Sequence, residues 1–214
     1  SAMENPVFAP ELQSISTIQK MKSSIFELKE IFLKLMATLE TACPEMQGVF
    51  IDGIFHQVDE KDLYKIILTM DRFGLKPEEY KDQSTVVSFF EGIMDKYLSI
   101  NKVVDITPKE LIRLMIESVK PIKGTVYDGT AGTANILVSA YRYAKTENTE
   151  IHVFGQEINE ELYKIGKLNL FINRVIPGRG NLRLGDTIRN PKWLNGGRVQ
   201  QFDYVLMNFP FGVS

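Results

Sequence analysis

The sequence predicts an α/β chain: a parallel, doubly wound sheet over 105–214, preceded by an all-α domain over 1–104. Three observations predict it. Through the first part, apolar positions recur only at helical spacing. From Asp105 onward, short β-rich runs alternate with amphipathic helical segments, the order that builds parallel βαβ units. The last run, Phe202–Met207, is apolar but for Asp203, as suits a strand buried on both faces.

Each element has a local cause. Leu28, Ile31, Phe32, Leu35, Met36 and Leu39 form one helical stripe, ended by the Cys43-Pro44 step. Further helices are expected over 59–72, halted near Gly74, and over 84–98. Thr107-Pro108-Lys109-Glu110 reads as a helix start, with Thr107 as N-cap, Pro108 at the first helical position and Glu110 three residues after the cap. Leu111, Ile112, Met115 and Val119 then give the apolar face. Strands are expected at 124–127, 151–155, 181–184 and 202–207. Helices are expected at 135–145 and at 160–173, the latter with Leu162, Ile165, Leu168 and Ile172 inward.

Composition narrows the function classes. With 214 residues, 44% hydrophobic and 24% charged, the chain can bury a sizeable core. A net charge of −2 and a pI near 5.8 provide no global basic field, so any DNA contact needs a local patch or a partner subunit. The single cysteine, Cys43, excludes an internal disulfide and fits a reducing, cytoplasmic setting. Two histidines, His56 and His152, have no metal-spaced partner, and no metal is expected. No apolar run approaches the roughly 18 residues of a membrane span, and no signal peptide is recognisable. Ser1-Ala2 ahead of Met3 reads as an expression scar.

In a doubly wound sheet, ligands bind beyond the carboxyl ends of the strands. Four short stretches stand at those ends. The first, Asp128-Gly129-Thr130-Ala131-Gly132-Thr133-Ala134-Asn135, sets an acidic residue before a small-residue loop that lets backbone approach a ligand, or else makes a tight turn. It has neither the Gly-Lys-Ser/Thr of a phosphate loop nor three spaced glycines. The second, Gly155-Gln156-Glu157-Ile158-Asn159, offers a carboxylate for two ribose hydroxyls, or Asn159 as a helix cap with Glu157 a solvated neighbour. The third, Gly185-Asp186, would hold an adenine amine or make a turn. The fourth is Asn208-Phe209-Pro210-Phe211. In combination the four suggest a nucleoside-bearing methyl donor, S-adenosylmethionine, beside a planar amine acceptor.

From Phe89 to Ser214 the sequence resembles the amino-methyltransferases, and within them the methylation (M) subunit of type I DNA restriction-modification systems. The likeness rests on Phe90-Glu91-Gly92-Ile93-Met94, Thr107-Pro108, Val126-Tyr127-Asp128, Gly155-Gln156-Glu157-Ile158-Asn159, Asn169-Leu170, Gly185-Asp186-Thr187 and Asn208-Phe209-Pro210-Phe211-Gly212. It implies a Rossmann-like, S-adenosylmethionine-dependent methyltransferase fold and transfer of a methyl group to the exocyclic amine of a flipped adenine in double-stranded DNA. It further implies partnership with specificity (S) and restriction (R) subunits, and M–M self-association. In that pattern Asp128, Gly129, Thr130, Ala131, Gly132 and Thr133 wrap the methionine part of the cofactor, and Thr107 and Pro108 close its pocket. Glu157 holds the ribose and Asp186 the adenine amine. Asn208 and a backbone carbonyl of the Phe209-Pro210 segment accept from the target amine, and Phe211 stacks on the flipped base.

The sequence departs from the family at Gly129, Ala134, Asn135 and Phe209, where the usual residues are Pro, Gly, Gly and Pro, and at Asp105-Ile106, where an aromatic pair is usual. Further strands normally follow the tetrad, so the chain is expected to be C-terminally truncated, with the fourth strand left as an open edge. Two other readings stand beside the first: a protein-glutamine amino-methyltransferase, and a non-catalytic assembly module that keeps the fold. The 189–198 loop with Trp193 reads as a DNA contact or as a solvated loop with one apolar anchor.

Overall fold

The computed structural model describes residues 25–50, 59–62, 64–65, 83–100, 107–175 and 180–209. The chain divides into two compact units, Ser1–Phe89 and Phe90–Ser214. In the first, α1 spans Ile25–Ala42 and is followed by a 3-10 turn at Pro44–Met46. The buried Glu40 carboxylate ties that turn back to α1 by accepting from the backbone N–H of Phe50 (2.6 Å) and Gly48 (3.0 Å). Met36 and Met46 are buried; the side chains of Leu28, Ile31, Phe32 and Leu35 lie outside the described residues. So do His56, most of the 59–72 helix, Asp105 and Ile106. Cys43 opens the 3-10 turn, and burial, with Glu45 adding to it, pushes its thiol pKa up, against thiolate chemistry.

The helix expected over 84–98 is α2, Gln83–Ile100, which contains the point of division. The second unit continues with α3 (Lys109–Val119), β1 (Gly124–Asp128), α4 (Asn135–Thr146), β2 (Ile151–Glu157), α5 (Glu160–Ile172) and β3 (Gly180–Leu184). A hairpin of β4 (Leu194–Asn195) and β5 (Arg198–Val199) precedes β6 (Tyr204–Val205). Among the described residues, β3-β2-β1-β6 form one sheet whose neighbours are all parallel. Its register aligns Asp128 with Gly155 and Glu157 with Leu184. The chain steps outward from β1 to β3, then returns across β1 to β6. That reversal places a topological switch point between β1 and β6, where such sheets open a crevice.

β1 and β2 bury Val126, Ile151 and Val153 completely, against Leu137, Ala140 and Ala144 of α4. Gly124 starts β1 at φ +90°, and a Cβ there would meet the Asp203 carboxylate at 2.4 Å. Asp203 needs that space because it accepts from both the N–H and the hydroxyl of Thr125, each at 2.8 Å, clipping the start of β6 to β1.

Four local expectations are corrected. Pro108, not Thr107, is the N-cap of α3; its carbonyl takes the first helical bond from Ile112, and Thr107 spends its hydroxyl elsewhere. α3 buries Ile112 and Ile116, whereas Leu111 and Val119 are exposed, because the face packed against α4 lies one position round from the expected stripe. α5 packs through Gly166, Asn169 and Leu170, leaving Leu162, Ile165, Leu168 and Ile172 half-buried. The apolar 202–207 run pairs only at Tyr204 and Val205, and Val205 remains 57% exposed at the sheet edge, so it is not a strand covered on both faces.

Gly166 has a packing reason. A Cβ there would come within 2.8 Å of Leu182 Cδ2 and 3.1 Å of the Gly132 carbonyl oxygen. Alanine would gain about 1 kcal/mol of helix propensity but force overpacking worth about 1–3 kcal/mol. Gly166→Ala is therefore expected to lower stability, by up to about 2 kcal/mol net, measurable as a denaturation midpoint shift at unchanged slope.

Candidate active site

The loop after β1 begins with Asp128, whose side chain is fully buried. Its Oδ1 accepts from the Thr130 N–H at 3.0 Å, while its Oδ2 is buried with no hydrogen-bond partner. Desolvation pushes the carboxyl pKa up to about 7, with the Thr130 bonds opposing the rise only in part. Thr130 then turns its hydroxyl to the Asn208 backbone carbonyl, 3.1 Å away. One short side chain thus joins the β1 loop to the segment after β6, across the switch point.

The rest of the loop is held through its backbone. The Ala131 N–H donates to the Gln156 carbonyl (3.0 Å), and the Gly132 N–H to Glu157 Oε2 (2.6 Å). Gly132 and Ala134 both take positive φ, +52° and +62°. The latter explains why glycine is usual at that position: alanine carries a left-handed strain of about 1–2 kcal/mol there. Gly129 is similarly enclosed, since a Cβ would meet Met207 Cε and Thr187 Cγ2, each at 2.8 Å.

Glu157 is the last residue of β2 and only 7% exposed, so it is not the solvated neighbour of a cap. Its Oε1 accepts from the Asn159 N–H (2.8 Å), and Asn159 caps α5 by accepting from Leu162 (3.0 Å). Beside it stands Ile158, 66% exposed, a residue the sequence reading did not single out. An aliphatic residue directly after the Glu157 carboxylate at a strand end was the available signal.

Asp186 follows β3, where the Gly185 N–H donates to the Glu157 carbonyl at 2.8 Å. Its Oδ1 accepts from the backbone of Ile188 and Arg189. Those bonds, Arg189 first, hold its carboxyl below the usual range. Asp186 therefore makes the turn, stays ionised at neutral pH, and uses one oxygen for the purpose.

Asn208 lies just beyond β6. Its side-chain N–H donates to Thr107 Oγ1 at 3.1 Å. This bond, between residues 101 positions apart, is what Thr107 does instead of capping α3. It engages the Nδ2 end of the amide. Asp128, Gly129, Thr130, Ala131, Gly132 and Thr133, together with Glu157, Asp186, Asn208, Thr107 and Pro108, thus stand along one edge of the sheet. Pro210 and Phe211 lie outside the described residues.

Sequence reading also passed over Gln156. It is fully buried and holds the 190–192 segment with both ends of its amide: Oε1 accepts from the Lys192 N–H (2.9 Å) and Nε2 donates to the Asn190 carbonyl (3.0 Å). Next to it, Trp193 is the buried anchor of the loop. Its indole N–H donates to the Gly155 carbonyl (3.0 Å), its ring meets Phe154 edge-on at 4.9 Å, and Arg183 stacks on it at 3.8 Å. Trp193→Phe would remove that hydrogen bond from a carbonyl that lies within the β2–β3 ladder, and a loss of about 0.5–1.5 kcal/mol is expected in chemical denaturation. Among the described residues, no three His, Cys, Asp or Glu side chains gather to hold a metal ion, and no helix is long and apolar enough to cross a membrane.

A family model described as N-6 DNA Methylase matches residues 81–214. The MjaVII type I restriction enzyme methylase subunit of Methanocaldococcus jannaschii is 33% identical over 110 residues, covering 50% of this chain and 18% of that protein. The MjaIX methylase subunit of the same organism is 28% identical over 193 residues, 86% of this chain and 33% of that protein. The chain therefore spans a third or less of the length of these two relatives. Among solved structures, the type I restriction-modification methyltransferase subunit of Streptococcus thermophilus matches with a TM-score of 0.71 at 19% identity, over 92% of this chain and 43% of that one. A class I S-adenosylmethionine-dependent methyltransferase of Listeria monocytogenes matches at 0.55 and 16%, over 88% and 58%. At such identities the structural likeness speaks to fold alone: the second unit is a Rossmann-like methyltransferase fold, as the sequence leads one to expect.

Proposed function

The chain belongs to the N-6 DNA methylase family, and from that membership we propose that it is part of an adenine-specific DNA methyltransferase, the modification subunit of a type I restriction-modification system. S-adenosylmethionine would be its methyl donor, and double-stranded DNA its substrate. Sequence recognition would fall to a separate specificity subunit, in keeping with the net charge of −2. A restriction subunit and a second modification subunit complete the proposed assembly.

The observation that carries the reading is the orphaned Oδ2 of Asp128, buried at the switch point, where Thr130 links Asp128 to the Asn208 carbonyl. A buried carboxylate oxygen with no donor fits a cationic ligand that brings one. When bound, S-adenosylmethionine supplies a methyl group on a positively charged sulfur, which needs no metal or covalent enzyme intermediate. Asp128 would pair with the ammonium of its methionine part, and the 128–133 backbone would wrap the same part. Glu157 would take the ribose hydroxyls and Asp186 the adenine amine, with Ile158 packed on the adenine face. Thr107 would act through Asn208, by holding its amide. Asn208 Oδ1 would accept from the target amine and, with a carbonyl of the Phe209-Pro210 segment, turn the nitrogen lone pair out of the ring toward the methyl group. Phe211 would stack on the flipped base and Pro210 stiffen the backbone before it.

Calorimetry with S-adenosylmethionine tests the cofactor site on this chain, and saturable heat with a rise in Tm is expected. Labelled methyl transfer to duplex DNA by the full-length protein with its specificity partner tests the reaction. Methyl groups found on a protein glutamine instead would overturn the DNA assignment.

A further inference from the structure

Behind the β1 loop, on the helical side of the sheet, lies a chain of polar side chains that the proposed chemistry does not use. Asn169 of α5 is almost fully buried. Its Nδ2 donates to the Thr133 carbonyl (2.8 Å) and to Asn135 Oδ1 (2.9 Å). Its Oδ1 accepts from Asn173 Nδ2 (2.9 Å), which also donates to the Asn169 carbonyl (2.8 Å). Asn173 Oδ1 accepts from Arg142 Nε at 2.7 Å, and Arg142 Nη2 is paired with Glu91 Oε1 at 2.9 Å. Every donor and acceptor of the Asn169 side chain is therefore directed. One helical turn earlier, Gly166 admits the Gly132 carbonyl against α5. The left-handed residues Gly132 and Ala134, which give the loop its shape, are flanked on both sides by α5 contacts.

We propose that Asn169 is a positioning residue for the cofactor loop, its amide setting the Thr133 carbonyl and Asn135 while Asn173 and Arg142 fix the amide's own orientation. The inference rests on the cofactor reading only for its consequence. The geometric part, that Asn169 holds the loop's shape, stands on the hydrogen bonds alone. An aliphatic residue could fill the same volume but would deliver no donor to the Thr133 carbonyl or to Asn135 Oδ1. A cavity of about 350 Å³, lined by Thr133, Asn135, Arg142 and Asn169 among others, adjoins the network. Water from it can take the place of a deleted amide, so Asn169→Asp is a sharper test than Asn169→Ala: the same shape turns an acceptor toward the Thr133 carbonyl.

The experiment pairs two readouts on the chain as it exists. Amide hydrogen exchange at Ala131, Gly132 and Ala134, without cofactor, reads loop order. Calorimetry with S-adenosylmethionine reads affinity. Asn169→Asp is expected to speed exchange at those amides and weaken affinity, each by about tenfold. Val153→Ala, a core truncation away from the loop, is expected to lower Tm while changing neither. Unchanged exchange in Asn169→Asp overturns the inference whatever the cofactor does. Faster exchange with equal affinity for wild type and variant overturns the loop's relevance to the cofactor. Faster exchange with no cofactor heat from the wild type keeps the positioning role and sinks the cofactor reading instead. Asn169→Ala, with the same direction and a smaller change, serves if the buried carboxylate prevents folding.

Discussion

Asn208→Ala in the full-length protein is expected to reduce methyl transfer to duplex DNA roughly 10²–10³-fold, the cost of removing one aimed acceptor from a preorganised site. In the structure the other end of that amide is already engaged. An asparagine amide can present either end, and the Thr107 hydroxyl, 3.1 Å from Nδ2, takes the donor end. The Asn208 carbonyl is in turn pinned by Thr130. Alanine keeps that backbone bond, so cofactor affinity is expected to change little. The loss should therefore appear in kcat rather than in cofactor binding. Equal activity of the variant and the wild type would remove Asn208 from the chemistry.

The second large effect concerns Asp128 and pH. Its carboxyl titrates near 7 in the fold, against 3.8 for an ordinary aspartate, because burial penalises the charged form. The folded chain thus holds a proton that the unfolded chain has already lost, and stability falls as pH rises from about 4 to about 7, then levels. At about 1.4 kcal/mol per unit the full fall is on the order of 4 kcal/mol. Asp128→Asn removes the titration while its Oδ1 still accepts from Thr130. The variant is expected to match the wild type near pH 4 and to exceed it in Tm above pH 7. A wild-type stability curve that is flat across this window would mean the carboxyl is not desolvated. Cofactor binding should run the other way. A cation pairs only with the ionised carboxylate, so affinity should rise with pH through about 7. Binding below that pH should release a proton, read as calorimetric heat that depends on the buffer's ionisation enthalpy. Asp128→Asn should lose both the pH dependence and most of the affinity.

What could be read in the chain, and what could not, divides by the range of the interactions involved. The order of strands and helices over 107–209 follows from local periodicity and from the small and polar residues that end each run, and these act within a few residues. The four strand-end stretches were legible for the same reason: a parallel sheet must put Asp128, Glu157, Asp186 and Asn208 on one edge once its strands are placed. Burial faces were less legible. Leu111 and Ile116 exchange places because helix rotation is set by the neighbouring helix α4, and β6 shrinks to Tyr204–Val205 because an apolar run says nothing about which partner is present to cover it. The hairpin at 194–199 is marked by Gly196-Gly197, but two-residue strands leave no period to detect.

The sequence by itself determined the α/β order, the acidic tips and the amide that follows β6, because each is written in contiguous residues. Only the tertiary structure decided what those groups do. Thr107 meets Asn208 across 101 positions, and Thr130 ties β1 to β6 across 78. Asn169 supports a loop more than thirty residues earlier. The ionisation of Asp128 depends on atoms packed around it from several elements. Hydrogen-bond pairing and desolvation are properties of neighbours in space, and neighbours in space exist only once the chain has folded.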